Sequence, residues 1–259
     1  MKKQIHYNSI YSISKTESAL LQKINESKLT IFTPRELTKI LSWKKQKTHN
    51  VLQQLKNKGI IISIKRNTYT TKEASTEKSF QIAVESTSPS YISFWTALSY
   101  YGFTEQQPKS IQIVSPKQYK QIITLKFSII PIKLKKERFF GYKRINNFTI
   151  AEKEKCIIDS LAYPKNAGGL QEAVKCLKNA WKELDKQLFI KYLVRFNNKA
   201  LNARTGYILE KLNLKNIKVQ LPSTYVKLNN EKQSSKTASE REKKQRNKKW
   251  RIIINEEIN

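Results

Sequence analysis

The chain has 259 residues, 39% of them apolar, and carries 50 Lys and Arg against 20 Asp and Glu, a net charge of +30. That length and apolar content suffice for one or two buried cores and exclude wholesale disorder. A surface this basic attracts polyanions, and nucleic acid is the commonest one inside a cell, although an AT-rich genome that writes Lys, Asn and Ile often produces some of the same excess.

Two cysteines, Cys156 and Cys176, have neither CxxC spacing nor a neighbouring histidine, so buried free thiols are expected rather than a disulfide or a metal site. No apolar run approaches the roughly 18 residues needed to span a bilayer, and the N-terminus lacks a basic-then-apolar signal segment. A cytoplasmic location without membrane contact is the expectation.

Residues 1–13 have no clear period. Ser14 can cap a helix whose apolar face is Ala19, Leu20 and Ile24, joined by Leu21. Leu29, Thr30 and Ile31 read as a short strand. Thr33, Pro34 and Glu36 then form a compact helix start: an N-cap, a proline where its missing N–H costs nothing, and a capping-box glutamate. Leu37, Ile40 and Leu41 supply the buried face. Ser42 is expected to close this helix and cap the next, which runs from about Trp43 or Lys44 to Asn57 or Lys58 and stops at Gly59.

In that second helix Thr48, Val51, Leu52 and Leu55 fall on one side, and Gln46, Asn50, Gln53 and Asn57 on the other, flanked by Lys47, His49 and Gln54. The exposed stripe has no acid. Asn and Gln can pair with an adenine edge in the major groove while lysines meet phosphates, although an ordinary solvated helix face has a similar composition. What favours DNA is the sequel: a strand Ile60–Lys65, a turn at Arg66 and Asn67, and a returning strand Thr68–Thr71, Asn tolerating the positive φ of a tight hairpin. Helix, turn, helix and basic-tipped hairpin is the layout of a winged helix-turn-helix. Candidate base-reading residues are Gln46, His49, Asn50 and Gln53; candidate phosphate contacts are Lys44, Lys45, Lys47 and Arg66.

A linker is expected over Glu73–Lys78, then an amphipathic segment with Phe80, Ile82, Ala83 and Val84. Tyr91–Gly102 reads as a capped helix, Ile111–Val114, Ile129–Ile132 and Phe139–Arg144 as strands, and Ala151–Tyr163 as a helix with Cys156, Ile157, Leu161 and Ala162 inward. Three more helices follow, about Leu170–Ala180, Glu183–Phe196 and Ala200–Leu212. The fold class expected is α+β: a DNA-binding domain at 1–75, a mixed α/β domain with a helical end at 76–228, a basic flexible segment at 229–249, and a strand at 250–259 that returns to the domain.

Enzyme constellations are absent from the sequence. His6 and His49 are its two histidines, leaving little for acid–base or metal chemistry. Glu26 with Lys28, and Glu242 with Lys244, match a nuclease-like spacing, but neither has a second acid at a strand end. Gly168 and Gly169 lack a P-loop lysine. Glu152, Glu154 and Asp159 read as helix N-terminal charge and a solvated face. Tyr91, Phe94, Trp95, Tyr100 and Tyr101 have helical spacing and read mostly as core. In the tail, Arg241, Lys243, Lys244, Arg246, Lys248 and Lys249 suit either nonspecific phosphate contacts or a solvated linker. No cofactor and no metal is expected, and the protein is not expected to be an enzyme.

The stretches "SYISFWTALSYYGF" from Ser90, "TIAEKEKCIIDSLAYP" from Thr149 with "AGGL" from Ala167, and "KALNARTGYILEKL" from Lys199 resemble the second domain of AbiEi-type antitoxins. The likeness runs from about Ile31 to Leu214, and "LPSTYVKL" from Leu221 and "NKKWRIIIN" from Asn247 are similar to that family's closing segments. Asn67 departs from the glycine that many relatives have in the wing turn. The resemblance implies a DNA-binding antitoxin of a type IV toxin–antitoxin (abortive infection) system. Such a protein represses its own operon by binding promoter repeats as double-stranded DNA, with possible self-association there. It also counteracts a co-encoded nucleotidyltransferase-like toxin. Two rival readings remain open at this point, a nucleic-acid-processing enzyme and a winged-helix protein-interaction module.

Overall fold

A computed structural model describes residues 12–124, 126–230 and 245–258. The expectations for the first eleven residues, including His6, and for Arg241, Glu242, Lys243 and Lys244 lie outside them. The architecture is mixed α and β, of the α+β kind, with ten α-helices and three sheets among the described residues. It divides into two compact units, Met1–Ser86 with Gln121–Ser128, and Thr87–Lys120 with Ile129–Asn259.

The first unit is built from local signals. Helix α1 (Lys15–Glu26) starts at a full capping box, Glu17 N–H donating to Ser14 Oγ at 3.2 Å and Ser14 N–H to the Glu17 carboxylate at 2.7 Å. Its inner face is Leu20, Leu21 and Ile24, while Ala19 is exposed, because the helix turns its glutamate rather than its alanine inward. No strand forms at Leu29–Ile31; Phe32 alone bridges to Tyr69, their rings stacked with centroids 6.4 Å apart. Helix α2 (Pro34–Leu41) has the expected Thr33–Glu36 box. Ser42 does not cap the next helix, because it takes a left-handed φ of 52° to end α2, and α3 (Lys45–Asn57) starts after Lys44 with no side-chain cap.

Thr48, Val51, Leu52 and Leu55 are buried, and Gly59 follows α3 at φ +66°. Phe32, Leu37, Leu20, Leu52 and Leu55 form the core with Ile61, each contributing roughly 1.5–3 kcal/mol by burial. Strands β1 (Ile61–Lys65) and β2 (Thr68–Thr71) pair antiparallel around Arg66 and Asn67, whose φ is 54°. In place of the linker expected at Glu73–Lys78 stands helix α4 (Lys72–Glu77): the Thr71 hydroxyl accepts from Ala74 N–H, and Ala74 and Ser75 are buried. Helix α5 (Ser79–Ser86) completes the run, and the Lys65 ammonium donates to the Ser86 carbonyl at 2.7 Å.

A part-buried charge pair joins two helices of this unit. Glu17, 1% exposed, meets Lys58 at 2.7 Å, joining the start of α1 to the end of α3. Burial alone pushes the carboxyl up, but hydrogen bonds from Lys58 and from the Ser14 amide and hydroxyl outweigh it and hold the pKa below its ordinary 4.5. A depressed carboxylate pKa adds stability above its unfolded value, and that stability is lost as pH falls through the folded one. Acid titration of helical circular dichroism should therefore show a loss below about pH 4.5 that Glu17→Gln flattens; an unchanged acid limb in the variant would remove the pair from this role.

In the second unit, β3 (Tyr91–Ile92) pairs antiparallel with β4 (Ser110–Ser115) and parallel with β8 (Phe148–Ala151). The hairpin partner β7 (Tyr142–Ile145) flanks β8, and β6 (Ser128–Lys133) flanks β4. The short β5 (Ile122–Ile123) groups with the first unit. Tyr91 and Ile92 are thus strand rather than helix start. The chain turns from β3 into α6 (Phe94–Tyr100) through a positive φ of 53° at buried Phe94, a conformation that costs a bulky residue energy and is held here by its packing.

Helix α7 (Lys153–Ala162) is the centre of the unit, in contact with α6, β8, α8 (Leu170–Ala180), α9 (Lys186–Arg195) and α10 (Lys199–Lys211). It has no solvated face between Glu154 and Ala162: Asp159 and Lys155 are both 0% exposed. The two form an ion pair, the Lys155 ammonium also donates to Tyr91 Oη at 2.9 Å, and Ser93 Oγ donates to Asp159 at 2.9 Å. The expected surface acid Asp159 is therefore the acceptor of a buried polar cluster, and Glu154 accepts from the Asp185 N–H at 2.8 Å. Cys156 and Cys176 are free and buried.

Beyond α10 a small sheet forms, β11 (Ile252–Ile253) lying parallel to β9 (Val226–Lys227) and antiparallel to β10 (Arg246–Asn247). The expected strand is limited to these two residues, since Trp250 and Arg251 form the turn before it, with Arg251 at φ 54°.

Candidate nucleic-acid interface

Two surfaces meet on the first unit. One is the outer face of α3, where Gln46, Asn50, Gln53 and Asn57 are all exposed. Spaced four residues apart on a helix, they pair as neighbours: Gln46 Nε2 donates to Asn50 Oδ1 at 2.9 Å and Gln53 Nε2 to Asn57 Oδ1 at 3.0 Å. The face is thus a file of hydrogen-bonded amides on a helix that contains no acid.

The other is a cleft of about 540 Å³ beside that face, between the start of α2, the first half of α3 and the hairpin turn. Arg35, Lys45, His49 and Arg66 bring nitrogen donors to it, and Thr33, Thr38 and Thr68 bring hydroxyls, with Pro34 and Asn67 completing the wall. No acid lines it. Glu36, the nearest acid in sequence, turns its carboxylate back onto the Thr33 N–H and hydroxyl, both at 2.8 Å. Behind the cleft wall, Thr38 Oγ1 donates to Thr48 Oγ1 at 3.1 Å, linking α2 to α3.

Six of the eight residues singled out from sequence divide between these surfaces, and two lie at neither. Lys45, His49 and Arg66 come together in the cleft, so His49 stands beside cations rather than in the amide file. Gln46, Asn50 and Gln53 lie on the file. Lys44 is exposed at the N-cap of α3, and Lys47 lies over the Trp43 ring, 4.4 Å from its centroid, at neither surface. Arg35 is the residue that sequence reasoning missed. It stands 31 positions before Arg66, and only the return of the hairpin beside α2 brings the two to one cleft. The Phe32–Tyr69 bridge that makes this return is the one local hint, an aromatic just before a helix cap matched to an aromatic in the second strand.

Among the described residues no group of three or more His, Cys, Asp and Glu side chains is placed to hold a metal ion, and no helix is long and apolar enough to cross a membrane.

Comparison with protein-family models and with curated proteins gives no match. Among solved structures, the crystal structure of the RV2827C protein from Mycobacterium tuberculosis matches 93% of this chain with 92% of its own, with a TM-score of 0.59 and 12% sequence identity. The likeness is one of fold, over nearly the full length of both chains.

Proposed function

We propose that the first unit is a winged helix-turn-helix that binds duplex DNA, with α3 as the reading helix and the β1–β2 hairpin as the wing. The observation that carries this reading is the acid-free cleft of Arg35, Lys45 and Arg66 lying alongside an exposed, acid-free file of amides on one helix. The cations suit the phosphates of one strand, where they position the helix, and the amides suit base edges in the major groove. The antitoxin role rests on the resemblance of the second-unit stretches from Ser90, Thr149 and Lys199 to AbiEi-type proteins. On that basis the protein represses its own toxin–antitoxin operon in the cytoplasm and counteracts a co-encoded nucleotidyltransferase-like toxin.

Gel-shift titrations over a range of salt test the DNA reading. Each neutralised phosphate steepens the dependence of log K on log salt by about 0.9, so the Arg35→Ala, Lys45→Ala, Arg66→Ala triple variant should flatten the slope by roughly 2 to 3. Asn50→Ala should cost about 1–3 kcal/mol on the preferred sequence and leave the slope unchanged. Duplex binding that is absent or indifferent to salt sinks the reading. The antitoxin role is tested separately, by whether co-expression restores growth to cells producing the toxin of the adjacent reading frame.

A further inference from the structure

Resting on the duplex-binding reading, we infer that the amide file of α3 selects two adenines about three base pairs apart. Within each pair the hydrogen bond sets a glutamine N–H on an asparagine oxygen and turns the other amide groups outward. Gln46 donates one Nε2 hydrogen to Asn50 Oδ1, which leaves the Gln46 Oε1 acceptor, its second N–H and both Asn50 N–H donors for a ligand, and Gln53 with Asn57 repeats the arrangement.

Each pair thus offers an acceptor beside a donor. The major-groove edge of adenine offers the complement, an N6 amino donor beside the N7 acceptor. Guanine presents two acceptors, O6 and N7, and its O6 would face the glutamine oxygen. Cytosine offers a lone amino donor, and thymine one acceptor with a methyl group. The commonest guanine reader is an Arg or Lys, and the four file positions hold none: Arg35, Lys45 and Arg66 line the cleft, Lys47 lies over Trp43, and Lys44 and Lys56 are exposed outside the file.

The spacing follows from the helix. Corresponding amides, Gln46 with Gln53 and Asn50 with Asn57, are seven residues apart in α3, which is about 10.5 Å along an α-helix. A groove-aligned helix moves one base pair per roughly 3.4 Å, so the two pairs address positions about three base pairs apart.

Selection of bound duplexes from a randomised pool by the full-length protein tests this, followed by titration of the selected site carrying 7-deazaadenine, which lacks N7, or purine, which lacks the amino group. Enrichment of A·T pairs three apart is expected, with each analogue weakening binding about fivefold or more. Asn50→Ala should erase the preference at one position and Asn57→Ala at the other. Enrichment of guanine at these positions, or selected sites indifferent to both analogues, overturns the adenine assignment while duplex binding stands. A pool from which no duplex is retained overturns the duplex-binding reading and this inference with it.

Discussion

Lys155→Met should lower the stability of the second unit by about 3–5 kcal/mol, the range for removing one partner of a buried ion pair. Lys155 and Asp159 are both fully buried in α7, and the ammonium lies 5.1 Å from the Phe140 ring centroid and 5.4 Å from those of Tyr91 and Phe196. Burial pushes the lysine pKa down while Asp159 pulls it back up, so the charged state depends on its partner. Methionine would fill the space of the stem but strand the aspartate, leaving it with only the Tyr91 and Ser93 hydroxyls at 3.2 and 2.9 Å. The double variant Lys155→Met, Asp159→Leu removes both charges and should recover most of the loss, because apolar replacement of a buried pair is often near neutral. Urea unfolding of the two variants reads the difference. A double variant as unstable as the single one would show that the hydroxyl network, not the unpaired charge, sets the cost.

The same pair marks the limit of what the sequence discloses. The cap at Ser14, the capping box at Thr33, the apolar file Val51, Leu52 and Leu55, and the turn at Asn67 depend on neighbours within a few residues, so pattern and turn chemistry suffice to place them. Lys155 and Asp159 at i and i+4 look like an exposed helical pair; only the packing of four helices and a strand around α7 makes them interior. Tyr91 and Ile92 fit a helical period equally well, and their assignment to β3 is decided by partners at Ile113, Val114 and Ile150. The residues of the candidate interface divide along the same line. The amides on α3 are visible because they share one helix, whereas Arg35 joins Lys45 and Arg66 only through tertiary folding.

That dependence on distant neighbours also governs the C-terminal segment, where Gly206→Ala should change sign with its background. Trp250 is 4% exposed, its indole N–H donates to Glu210 at 2.9 Å, and its ring occupies the space that a Cβ on Gly206 of α10 would need. Truncating Trp250 to alanine should cost about 3–5 kcal/mol, as for other buried aromatic deletions. Gly206→Ala alone must push the ring outward and should destabilise by roughly 1–3 kcal/mol, the usual penalty of overpacking. Once the ring is gone that clash disappears, and what remains is helix propensity, which favours alanine over glycine inside a helix by about 1 kcal/mol. In the Trp250→Ala background the glycine substitution should therefore stabilise. A double-mutant cycle from urea unfolding measures the coupling directly. Additive effects would mean that the ring and the glycine do not share this space, and that the docking of residues 245–258 on α10 rests instead on Glu210 and the strand pairing of β9, β10 and β11.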